Sequence, residues 1–148
     1  MVINMFNVKL LTIREENDLT QKEVADVLGV KQAVYSRWEN KVEIIPLPKL
    51  INFCNYFNLS LDYICGFSNN KNINLNSNMI DRKTIGNNIV KFRNDNNLSQ
   101  KDLAKFLNTT PSTVCAYEKG KTLILTSFAY QICEKYNISM DWLCGRTK

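Results

Sequence analysis

Between Gln32 and Asn40 the chain sets out side chains that make directed hydrogen bonds and none that suit bond-breaking chemistry. Tyr35 and Trp38 stand three apart, the spacing of one helix face. That leaves Gln32, Ala33, Ser36 and Arg37 on the other faces, where an amide, a methyl, a hydroxyl and a guanidinium can reach a partner. Catalysis has little to work with. The 148 residues include no histidine and no paired acidic cleft signature, and the five glycines are scattered singly, so no catalytic residue, cofactor or phosphate-cradling loop is expected. The five cysteines, Cys54, Cys65, Cys115, Cys133 and Cys144, contain no CxxC. A metal site would have to gather thiolates or carboxylates from distant positions, so none is expected. The thiols read as buried and reduced on apolar faces, with a redox sensor as the alternative.

The elements that position these residues are short helices. Thr20 is a good N-cap, Glu23 three residues on completes a capping box, and Val24, Ala25 and Leu28 form an apolar stripe. Gly29 stops that helix and a second restarts near Gln32. Upstream, Phe6, Leu10 and Ile13 recur at i, i+4 and i+7, predicting a helix that ends near Asn17 and Asp18. Downstream, Pro46 and Pro48 predict an extended approach to a helix with the stripe Leu47, Leu50, Phe53, Cys54 and Phe57. Ser60 then caps a short helix closed by Gly66.

Shifted by 79 residues, the same pattern returns without a gap. Leu98 to Leu107 answers Leu19 to Leu28, and Asn137 to Gly145 answers Asn58 to Gly66. Arg14/Arg93, Gln21/Gln100, Ala25/Ala104, Glu39/Glu118 and Asp62/Asp141 are identical pairs. In the second copy Thr84 reads as the N-cap ahead of Ile85, Ile89 and Phe92. Thr110 precedes Pro111 at a first helical position, and Phe128, Ala129, Ile132, Cys133 and Tyr136 make the later stripe. Two copies of one all-α domain follow, over residues 1–66 and 80–148, joined by an Asn-rich linker over 67–79. If flexible, the twelve residues 67–78 reach about 19 Å, and about 40 Å when fully extended.

The helix pair at Leu19–Asn40, with its repeat at Leu98–Glu118 and the closing L-D-Y-I-C-G and M-D-W-L-C-G motifs, resembles the Xre/Cro family of helix-turn-helix proteins, the lambda-type phage repressors and their bacterial relatives. The resemblance covers nearly all of each repeat. It implies two tandem five-helix lambda repressor-like DNA-binding domains, with the second helix of each pair in the major groove of double-stranded DNA. It gives Gln21 and Gln100 phosphate contacts. Gln32 would read adenine, Arg37 guanine in bidentate fashion, and Ala33 and Ser36 would make smaller groove contacts, while Asn40 and Lys41 follow the backbone. It also pairs Arg14 with Glu39 and Arg93 with Glu118 as structural ion pairs. The usual loop glycine after the recognition helix is present as Gly120 but replaced by Lys41 in the first copy.

The second copy is a different reader. Pro111 and Ala116 stand where the first has Gln32 and Arg37, leaving Ser112 and Thr113 for bases and Lys101, Lys119 and Lys121 for phosphates. Residues 1–66 hold seven Lys/Arg against eight Asp/Glu, whereas residues 80–148 hold eleven against six. The expected division gives sequence choice to the first copy and affinity to the second. The competing expectation is that the second copy mediates a homodimer or binds a protein partner, as in an antitoxin. No apolar run of about 18 residues predicts a membrane span, and Met1–Phe6 lacks a signal-peptide pattern, so a cytoplasmic bacterial or phage transcriptional regulator, most simply a repressor, is expected.

Overall fold

The computed structural model describes residues 2–75 and 79–148, with side chains from Lys9 onward. Phe6 in the first stripe and linker residues 76–78 therefore lie outside the described side chains. Among the described residues there are ten helices and no strand: α1 (Val2–Glu16), α2 (Gln21–Leu28), α3 (Gln32–Glu39), α4 (Leu47–Phe57), α5 (Leu61–Ile64), α6 (Arg82–Asp95), α7 (Gln100–Leu107), α8 (Pro111–Glu118), α9 (Thr126–Tyr136) and α10 (Met140–Leu143). They fall into two compact all-α units of five helices, divided between Ile73 and Asn74.

In the first unit the Thr20–Glu23 capping box forms in both directions, and Gly29 ends α2 in the left-handed conformation at φ 69°. Tyr35 and Trp38 pack edge to face, with ring centroids 6.1 Å apart, in a core with Leu10, Val24, Leu50 and Phe53. Burying that face of α3 fixes which way the opposite face points. In the second unit Ser99 and Asp102 repeat the box, Asn108 takes the left-handed position of Gly29, and Thr110 caps α8 behind Pro111.

Two local expectations are corrected. Helix α6 begins at Arg82, so Asp81 is its N-cap and Thr84 lies inside the first turn, bonded to the Asp81 carboxylate at 2.8 Å. A carboxylate at Asp81 can cap backbone N–H groups, which moves the start one turn upstream. Residues 67–73 are no free tether. Ser60 N–H donates to the Lys71 carbonyl at 2.9 Å, the Ser60 hydroxyl to the Asn70 carbonyl, and Lys71 Nζ lies 3.4 Å from Glu16. In the second unit the matching stretch is closed by Arg146, buried and paired with Asp141.

Lys41 reproduces the loop of its glycine counterpart, with φ 66° against 71° at Gly120. A Cβ in this conformation costs about 1–2 kcal/mol, partly offset because glycine loses more freedom on folding. Lys41→Gly is therefore expected to stabilise the first domain by about 0.5–1 kcal/mol in urea melts.

Candidate nucleic-acid interface

The outward face of α3 is set by a charged clamp behind it. Arg14, at the end of α1, donates from Nε to Glu39 Oε2 at 2.7 Å and from Nη2 to Oε1 at 2.9 Å, and its Nη1 holds the Leu19 carbonyl at 2.8 Å. One guanidinium thus joins α1, the turn before α2 and the end of α3. Gln21 adds a bond from its amide N–H to Glu39 Oε1 at 3.1 Å. The second unit repeats each contact: Arg93 to Glu118 at 2.7 and 3.1 Å, Arg93 to the Leu98 carbonyl at 2.9 Å, and Gln100 to Glu118 at 2.9 Å.

The glutamate side chains are almost fully buried, at 2% and 6% exposure. Such a carboxylate persists only because its acceptor sites are filled by charged and amide donors. Burial alone would raise the Glu39 carboxyl, but the hydrogen bonds from Arg14 and Gln21 outweigh it and hold the group below its ordinary value. Burial pushes the neighbouring Tyr35 phenol up, with the Glu39 carboxylate adding to the effect, so Tyr35 stays neutral.

Gln21 and Gln100 were expected to face phosphates. In the structure each is half-buried and spends an amide hydrogen on the clamp, because a bidentate arginine leaves carboxylate lone pairs that a nearby amide fills. Gln32, Ala33 and Arg37 are exposed together on α3. Ser36 is half-buried and accepts from the Asn40 amide at 2.9 Å, so these two residues form a pair at the helix end. Arg37 is 59% exposed and lies 3.4 Å from Glu43 in the following loop. An exposed pair of this length is weak and leaves the guanidinium able to turn.

On α8, Ser112 is exposed, but Thr113 is half-buried and tied to Thr110, hydroxyl to hydroxyl at 3.0 Å. It takes the place of half-buried Val34 and joins the cap of α8. Lys101, Lys119 and Lys121 are all exposed. Cys54, Cys65, Cys133 and Cys144 are buried as expected. Cys115 is not: it is partly exposed, on the outward face at the position of Ser36.

Two further cations lie beside the loop after α8, where nothing in the spacing points to them. Arg82 donates to the Lys121 carbonyl at 3.0 Å, and the Lys83 backbone lies so close to Gly120 that a Cβ there would meet it at 3.2 Å. The start of α6 therefore brings two cations beside the loop after α8. The available signal was Gly86, a glycine inside a helix, which calls for a packing reason. A Cβ on it would stand 2.5 Å from the Glu118 carbonyl and 2.6 Å from that of Tyr117.

No described helix is long and apolar enough to cross a membrane. The chain matches the Helix-turn-helix family over residues 10–64 and again over 89–143, well over half its length. Among curated relatives it is 37% identical over 68 residues to the uncharacterized HTH-type transcriptional regulator YqaE of Bacillus subtilis (strain 168), covering 45% of this chain and 59% of that protein. It is 28% identical over 64 residues to the uncharacterized HTH-type transcriptional regulator YobD of the same organism, covering 43% and 57%. The chain thus spans less than two thirds of the length of either relative, and no solved structure matches. With the repeated cap, turn and clamp in both halves, the chain belongs to the helix-turn-helix family and carries the family's unit twice.

Proposed function

We propose that the protein is a sequence-specific transcriptional regulator of double-stranded DNA, a repressor that acts by occupying its operator. The observation that carries this reading is the joint exposure of Gln32, Ala33 and Arg37 on α3, opposite the buried Tyr35 and Trp38. An amide and a guanidinium five residues apart on one exposed face match the paired acceptor and donor edges of adenine and the two acceptors of guanine in a major groove. The clamp of Arg14, Gln21 and Glu39 holds the helix that carries them. Lys41, Lys101, Lys119 and Lys121, joined by Arg82 and Lys83, supply cations for phosphates, and the net charge of +5 favours that partner. Such a role belongs in the cytoplasm and needs no catalytic group.

The test is binding of the full chain to its own upstream DNA and to scrambled DNA over a salt series. Arg37→Ala is expected to reduce the preference for the specific site by about 1.5 kcal/mol, roughly ten-fold, with little change on scrambled DNA. A Lys119→Ala and Lys121→Ala double variant is expected to weaken both duplexes alike, with the slope of log affinity against log salt shallower by about 1.8. No preference in the parent chain, with neither variant having an effect, would overturn the reading.

A further inference from the structure

The outward face of α8 is chemically unlike that of α3. Pro111, Ser112, Cys115 and Ala116 line a shallow depression there, bordered by Gln100 and by Lys119 and Lys121. The first domain carries Gln32, Ala33, Ser36 and Arg37 at the four central positions. In the second, the two long hydrogen-bonding side chains are replaced by a proline ring and a methyl and the serine at position 36 by a thiol, which packs as a small hydrophobe, while Ser112 puts a hydroxyl where the first domain has the Ala33 methyl. What remains is a small hollow with an apolar wall of Pro111, Cys115 and Ala116, the Ser112 hydroxyl beside it, inside a cationic rim.

We propose that α8 selects A·T pairs by seating the 5-methyl group of thymine in this hollow, with Lys119 and Lys121 on the flanking phosphates. This rests on the DNA-binding reading above. In the major groove the thymine methyl is the one apolar feature any base pair presents; the other edges are hydrogen-bond donors and acceptors. An apolar wall pressed against a G·C edge would strip water from those groups without replacing it, which disfavours that pair. Against thymine the same wall gains apolar burial. The rim argues for DNA over a protein as the occupant, because lysines so close to the centre are what protein interfaces avoid and what phosphates require. The hollow supplies base choice without a bidentate reader, so the loss of Gln32 and Arg37 equivalents changes what the second domain reads.

The experiment begins by selecting tight duplexes for the full chain from a randomised library. Each thymine in the selected duplex is then replaced singly by uracil, which lacks only the methyl. Affinity is expected to fall about four-fold at each thymine under α8, the value of one buried methyl. Ala116→Arg, which installs the first domain's reader, is expected to erase those penalties and bring in guanine at that position. The gentler Cys115→Ser, which copies Ser36, is expected to shrink them, with circular dichroism melts reporting the fold of both variants. Uracil tolerated at every position, or penalties unchanged in both folded variants, would overturn the inference while leaving DNA binding intact. Failure to retain any duplex at low salt, with capture of a protein partner through α8 instead, would overturn the inference and the DNA-binding reading together.

Discussion

Arg14→Met is expected to destabilise the first domain by about 3–5 kcal/mol while leaving the second untouched. The cost does not measure the ion pair's own strength. Arginine and methionine have similar stems, so packing along α1 is largely kept, but Glu39 is left with a buried carboxylate whose charged partner has gone. The guanidinium also holds the Leu19 carbonyl, so the turn into α2 loses a bond at the same time. The two tryptophans make this measurable in the intact chain. Trp38 is buried in the first domain and Trp142 belongs to the second, so a Trp142→Phe background leaves fluorescence reporting the first domain's unfolding alone. A loss under 1 kcal/mol there would mean that Glu39 finds other donors.

The same variant should reverse the domain's response to pH. In the parent chain the Glu39 carboxyl is held below its ordinary value of 4.5, so its contribution is fully present above that pH. It is lost as pH falls through the lowered folded value. Without Arg14, burial is the dominant influence and raises the carboxyl above its unfolded value, so stability is present at low pH and declines as pH rises through the raised one. Urea midpoints between pH 4 and pH 7 should therefore hold steady in the parent above pH 4.5 and fall with rising pH in Arg14→Met.

Periodicity and capping made the ten helices legible because each apolar stripe has one compatible face. Asp81 shows the limit: two capping residues three apart both fit a helix start, and the choice is made by backbone donors the pattern does not weigh. Lys41 shows another, since the chain folds back on the end of α3, with the Val42 N–H on the Arg37 carbonyl at 2.9 Å, and a lysine tolerates the left-handed conformation at some cost. The exposure of Gln32 and Arg37 is legible from helical spacing against Tyr35 and Trp38. The family resemblance gives Gln21 and Gln100 to phosphates, but neither it nor the spacing shows the bonds by which each also joins its clamp, or the hydroxyl contact that ties Thr113 to Thr110. Cys115 differs from the four buried cysteines, and its repeat partner, Ser36, marks it as belonging to the outward face. Arg82 and Lys83 come beside α8 through a crossing that one glycine permits, information carried by tertiary geometry.

That crossing predicts the second large effect. At an exposed helix interior, glycine to alanine stabilises by about 1 kcal/mol. Gly86→Ala should do the opposite. The new Cβ would lie 2.5 Å from the Glu118 carbonyl oxygen, 2.6 Å from that of Tyr117 and 2.9 Å from the Glu118 carbonyl carbon. These are backbone atoms at the end of α8, and no rotamer change moves them away. The helices must separate, and a net loss of about 2–3 kcal/mol from the second domain is expected, at the upper end for overpacking because the obstruction is main chain. Asn87→Ala, at the exposed next position of α6, provides the contrast and should be neutral or slightly stabilising. Because α8 ends at Glu118 and leads directly into Lys119, Gly120 and Lys121, separation would also shift the cationic loop and loosen the Arg82 bond to the Lys121 carbonyl. Non-specific DNA affinity should fall in Gly86→Ala by a route that touches no phosphate directly. With a Trp38→Phe background reporting the second domain, a Gly86→Ala chain as stable as Asn87→Ala would show that the two helices are not in backbone contact.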